Sequence, residues 1–151
     1  MTLPLVPPTD PALRRVAYPV ADVTDDLRVL VGDMIETMYA AHGVGLAAPQ
    51  VGRSLRVVVV DVAGDDEPSD LLVMINPVIV ESSHDAEHGD EGCLSLPGVV
   101  RSVARETEIT VCATSLDGTL FTVDATGLKA RAIQHEIDHL NGILITDARS
   151  A

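Results

Sequence analysis

The chain has 151 residues, the size of one compact domain, and a formal charge of −13. So acidic a protein is a poor binder of nucleic-acid phosphates, and the charge itself reads as solubility. With two Tyr, one Phe and no Trp it offers no aromatic platform for bases or sugars, and its 46% apolar residues must build a core of Val, Leu, Ile and Ala.

Proline-rich "MTLPLVPPTDP" lacks the basic start and apolar run of a secretion signal. The best apolar stretch, Leu55 to Val62, is strand-length and cannot span a bilayer. Both points predict a cytoplasmic protein without membrane or nucleic-acid contact, in which Cys93 and Cys112 stay unbridged. Residues 1–20 read as extended, irregular chain. A helix is predicted from Asp25 to His42, capped by Thr24 or Asp22, with Leu27, Leu30, Met34, Met38 and Ala41 as its buried stripe and Gly43 as its stop.

"GVGLAAPQVG" reads as a loop, and "LRVVVVDV" (55–62) as a buried strand. "GDDEPSD" is an acidic turn. "LLVMINPVIV" (71–80) is a strand that Pro77 confines to an edge or a bulge. "ESSHDAEHGDEG" reads as a polar connection. "TEITVCATS" and "TLFTVDA" flank Asp117-Gly118, a hairpin signal, and the last helix runs from Gly127 to Leu140. Strands in the middle, bracketed by two helices, give the class α+β.

The last helix carries His-Glu-x-x-His as His135, Glu136 and His139. Positions i and i+4 share one helix face, so both imidazoles can grip one ion while the carboxylate beside the first handles protons. A catalytic zinc usually has three protein ligands and one open position. In the metzincin pattern the third ligand is a His, but Ile145 stands there. Candidates upstream are Cys93, Cys112, His84, His88 and several carboxylates. Cys93 is preferred: Gly92, Pro97 and Gly98 surround it with turn residues, and an exposed thiolate is a strong ligand for zinc or ferrous iron. Cys112, inside a strand, reads as a small core hydrophobe, and His84 and His88 as solvated.

Three segments, "GVGLAAPQ" (43–50), "EGCLS" (91–95) and "QHEIDH" (134–139), stand in an order and spacing that resembles the three motifs of peptide deformylase. "INP" at 75–77 and "GLKARAIQHEIDHLNG" at 127–142 fit too, so the likeness covers most of the chain. It implies one domain over 1–151: small antiparallel or mixed sheets around a central helix bearing His-Glu-x-x-His, with a second, N-terminal helix. It also implies a metallo-amidohydrolase that removes the formyl group from N-formylmethionyl peptides and releases formate, in protein biosynthesis. Cys93, His135 and His139 would hold ferrous iron, with zinc, nickel or cobalt as substitutes. Glu136 would be general base and then acid, Gln50 and the backbone N–H of Leu94 would hold the oxyanion, and Gly45 would lie against the substrate. Glu91 and Arg105 look like the ion pair that supports the metal-binding turn.

Other positions leave two readings open. Leu46, Leu128 and Ala132 either line a methionine pocket or pack in the core, and Asp138 faces solvent or sits behind the ligands. The chain departs from the pattern in stopping nine residues after Gly142, without the longer C-terminal helix of many bacterial members, which counts against ribosome association. Ile145 stands where Phe is common, and Arg101 where the usual arginine falls near Val100. The protein is expected to be a monomer or weak dimer. The alternatives are a paralogue acting on another formamide or serving as an inhibitor-tolerant copy, a non-catalytic metal-holding protein, and a zinc peptidase.

Overall fold

In the computed structural model, residues 1–147 are described; residues 148–151, at the end of the expected domain, lie outside the described residues. The elements are α1 (Asp25–Ala40), β1 (Gly45–Ala47), β2 (Val57–Val60), β3 (Leu72–Ser82), β4 (Ala86–Cys93), β5 (Leu96–Glu106), β6 (Glu108–Thr114), β7 (Leu120–Thr126) and α2 (Gly127–Leu140). Short 3-10 turns at Pro11–Arg14 and Ala48–Val51 interrupt the irregular stretches.

Five strands form one antiparallel sheet in the order β1-β2-β3-β6-β7, and β4 and β5 form a separate two-stranded ribbon. β2 explains the layering. Its four valines are all buried because alternate side chains point to opposite faces of a sheet covered on both sides. Val57 and Val59 pack with Leu27, Leu30, Val31, Met34 and Met38 of α1. Val58 and Val60 pack on the other face with Ala130, Ile133, Ile137 and Leu140 of α2. The helix bearing His-Glu-x-x-His is thus wedged between the sheet and the ribbon. A third cluster, Leu13, Leu96, Val103, Leu144 and Ile145, closes the ribbon's side, so Ile145 is a core residue.

Thr24 caps α1, its hydroxyl accepting from the N–H of Leu27 at 3.2 Å. The helix ends earlier than the sequence predicts. His42, not Gly43, takes the left-handed conformation (φ 56°), with N–H bonds from His42 to Tyr39 and from Gly43 to Met38 closing a Schellman turn. Gly43 serves another purpose: a Cβ there would meet Leu94 Cδ1 at 2.7 Å.

Pro77 creates a bulge rather than an edge. β3 lies between β2 and β6, and its pairing with β6 slips between Ile75 and Val78. Asn76 turns to φ 53° there, and its side-chain amide accepts from the N–H of Val20 and donates to its carbonyl, at 2.8 and 2.9 Å. The polar segment expected to be a connection is β4, paired with β5 from Ala86↔Glu106 to Cys93↔Leu96. Most of β4 is exposed and only Glu91 is buried, so it needs no apolar alternation. No helix among the described residues is long and apolar enough to cross a membrane.

Candidate metal and catalytic centre

β4 and β5 are joined by the two-residue turn Leu94–Ser95, with Cys93 as the last residue of β4. The turn brings Cys93 to the buried face of α2. Its Sγ lies 3.4 Å from Nε2 of His139, which lies 3.2 Å from Nε2 of His135. All three ligand atoms lie within 4.8 Å of one another. Three ligands held about 2.0–2.3 Å from a tetrahedral ion are roughly 3.3–3.8 Å apart. One thiolate and two imidazoles converging at this spacing fit a divalent transition metal. Cys112, half-buried on β6, and the exposed His84 and His88 take no part.

The carboxylate of Glu91 orients the first imidazole: its Oε1 is 2.9 Å from Nδ1 of His135, which turns Nε2 toward the cluster. Arg105 holds both oxygens of Glu91, at 2.8 and 2.9 Å, so the expected pair exists and is buried. Burial alone would raise the Glu91 pKa, but Arg105 and His135 outweigh it and hold it near 2. Asp138 is buried, not solvent-facing, and pairs with the other side of the Arg105 guanidinium at 2.5 Å.

Glu136 is buried beside the first histidine, and its Oε1 has no hydrogen-bond partner among the described residues. Burial pushes its pKa up to about 7, against the pull of His135 and Arg105. For His135, burial opposes charge, but Glu136, Cys93 and Glu91 overcome it and raise the pKa to about 10. His139 has no such carboxylate, and burial with the nearby His135 and Arg105 lowers it to about 3. Gly45 lies directly on Glu136, since a Cβ there would meet Oε2 at 2.5 Å.

Gln50 is buried by the 3-10 turn after β1. Its Oε1 accepts from the N–H of Ala47 at 2.9 Å. That fixes the amide so that Nε2 points at the ribbon turn, 3.0 Å from Ser95 Oγ and 3.7 Å from Cys93 Sγ. A cavity of about 440 Å³ opens above these groups; Gly45, Gln50, Cys93, Leu94, His135 and Glu136 all line it. Its outer wall includes Val44, Val100, Leu128 and Ala132. The two open readings therefore divide: Leu128 and Ala132 face the cavity, whereas Leu46 is fully buried in the α1 core. Sequence reasoning missed Ser95 and Arg131. Arg131 stands one turn before His135 on α2, a spacing that could have drawn notice.

The family model described as polypeptide deformylase matches residues 2–151. A peptide deformylase of Acidobacterium capsulatum is 46% identical over 144 residues, 95% of this chain and 84% of the relative. The crystal structure of a peptide deformylase from Synechococcus elongatus in complex with actinonin superposes with a TM-score of 0.92 at 42% identity, covering 99% of this chain and 79% of that one. A Met-Ala-Ser-bound class I type b peptide deformylase from Acinetobacter baumannii gives 0.89 at 38% identity, covering 95% and 96%. The family model spans nearly the whole sequence, and the relatives share its fold well above the level of chance likeness: the chain belongs to the polypeptide deformylase family.

Proposed function

We propose the following division of labour for a chain whose activity is that of its family, hydrolytic removal of the N-formyl group from nascent peptides. The observation that carries it is the convergence of Cys93, His135 and His139 within 4.8 Å, beside a cavity that Cys93, His135 and Glu136 line, with Oε1 of Glu136 unpartnered among the described residues. Cys93, His135 and His139 would hold the ion. The likeness to the family implies ferrous iron, with zinc, nickel or cobalt as substitutes, and a thiolate with two imidazoles is compatible with each of them. Bound there, a divalent ion acidifies water, to a pKa of about 7 in favourable cases, and polarises a carbonyl.

The chain's own groups do the rest. Glu136 takes a proton from water as its oxygen attacks the formyl carbon, and the carbonyl oxygen becomes an oxyanion. Gln50 Nε2 and the N–H of Leu94 donate to that oxygen, and donors of this kind contribute about 3–4 kcal/mol each. Glu136 then hands its proton to the departing amine, the C–N bond breaks, and formate and a free amino terminus result. In the metal-free protein burial raises the pKa of this carboxyl, which favours its holding the proton it then returns. Val44, Val100, Leu128 and Ala132 offer apolar wall to a methionine side chain. Work on nascent chains places the protein in the cytoplasm. The relatives compared give no support to a different formamide substrate. Anaerobic purification with metal analysis, then a formate-release assay on formyl-methionyl peptides, tests the proposal. Wild type should turn over and Glu136→Ala should keep its metal without turnover; a metal-loaded wild type that releases no formate would refute it.

A further inference from the structure

The side chains assigned to the metal stand on two elements, α2 and the β4–β5 ribbon, and among the described residues the ribbon pairs with no other strand. A lone two-stranded ribbon is marginal, so something must fix it against the helix. One face of α2 does so. Gln134 acts like a neighbouring strand, accepting from the N–H of Glu106 and donating to its carbonyl, both at 2.9 Å. Asp138, four residues on, pairs with Arg105.

Arg131 begins this seam. Its guanidinium meets four acceptors on the ribbon: Glu87 O at 2.7 Å, Val103 O at 2.8 Å, Gly89 O at 3.4 Å and Glu91 Oε2 at 2.7 Å. The fit is close, because a Cβ at Gly89 would lie 2.9 Å from Cζ of Arg131. Glu91 thereby has its two oxygens divided, with Oε1 toward His135 and Oε2 toward Arg131, while Arg105 spans both. Arg105 holds the carboxylate from β5 with both oxygens engaged; Arg131 at Oε2 ties the same carboxylate to α2, the helix that carries His135. Along β4, Cys93 lies two residues beyond Glu91, across the register shift between Gly92 and Cys93, and along α2, His135 lies one turn beyond Arg131.

We infer that Arg131 is a positioning residue for the metal centre: it locks the strand that ends in Cys93 to the helix that carries His135 and His139, and orients Glu91 behind His135. This rests on the reading of that cluster as the metal site. A lysine replaces it only in part: Gly89 O, Glu91 Oε2 and Val103 O gather on Nη1 and Glu87 O on Nη2, and one ammonium cannot occupy both positions.

The test uses the full chain loaded with cobalt. Arg131→Met keeps the stem and removes the fork; Gly89→Ala keeps the Arg131 side chain but pushes its guanidinium off the ribbon. Thermal midpoints establish folding, and the readouts are loss of cobalt to a chelator, the visible thiolate–cobalt absorption, and kcat separately from KM. Both variants should lose cobalt about 10–100-fold more readily, shift the absorption and lower kcat with little change in KM, with Arg131→Lys between them and wild type. Folded variants that hold cobalt as wild type does, with an unchanged spectrum, would overturn the inference, as would a rise in KM alone, which marks only a pocket wall. Should Arg131→Met fail to fold, Gly89→Ala decides by the same criteria. A wild type that takes up no cobalt would refute the underlying metal site itself and the inference with it.

Discussion

α1 and α2 cover opposite faces of the same sheet and bury different chemistry. On α1 the buried residues are Leu27, Leu30, Val31, Met34 and Met38, with Thr37 as the single polar member. On α2, Gln134, His135, Glu136, Asp138 and His139 are buried beside the apolar residues that face the sheet. Burying polar and ionisable groups costs free energy unless each is partnered, and even a good buried ion pair is often no better than an apolar one. α1 is therefore explained by packing alone. α2 is not: its polar face is retained for the site it builds, with Glu91, Arg105, Asp138 and Arg131 neutralising one another behind the histidines.

The comparison predicts that damage on the two faces separates activity from stability. Glu136→Gln should have the largest effect, lowering kcat for formate release by about 10²–10⁴-fold with metal content and thermal midpoint unchanged. Glu91→Ala should cost both properties. Leaving Arg105 and Arg131 facing an empty buried position destabilises by about 3–5 kcal/mol, and the unsupported His135 should weaken metal retention; urea unfolding and chelator challenge measure the two. Met34→Ala, in the α1 core, should lower stability by about 2–5 kcal/mol yet leave chelator resistance as it is.

The metal-stripped protein sharpens the comparison by pH. Glu91 is held near 2 in the fold against an ordinary 4.5. A depressed carboxylate stabilises fully above its unfolded pKa, and that contribution disappears as pH falls from about 4.5 toward 2. Glu91→Gln should flatten this part of the stability profile, whereas Met34→Ala should shift the whole profile without changing its shape. The smallest effect is Thr24→Ala, which removes the cap of α1 and should cost about 1 kcal/mol in thermal unfolding, with turnover unaffected.

Much of this architecture was legible from residue order. α1 and the β6–β7 hairpin follow from apolar periodicity and from Asp117-Gly118, whereas α2, buried on every side from Ala132 to Leu140, is marked by its His-Glu-x-x-His spacing. β4 escaped notice because most of it is exposed and its one buried residue, Glu91, is charged, so no apolar pattern distinguishes it from a loop, and Pro97 and Gly98 disguise the start of β5. Within the site, the three motif segments located Cys93, His135, His139, Glu136 and Gln50, all of which meet in space. Asp138 and Arg131 could not be read in the same way. A charged residue on a helix is ordinarily solvated, and only the ribbon's position against α2 turns these two inward.

The central claim is that one sulfur from the ribbon and two imidazoles from α2 hold the working ion. X-ray absorption on metal-loaded protein that is releasing formate tests it most directly. The account predicts a shell with a single sulfur, at about 2.3 Å if the ion is zinc, and two imidazole nitrogens. A shell with no sulfur, or with both Cys93 and Cys112 bound, would contradict it.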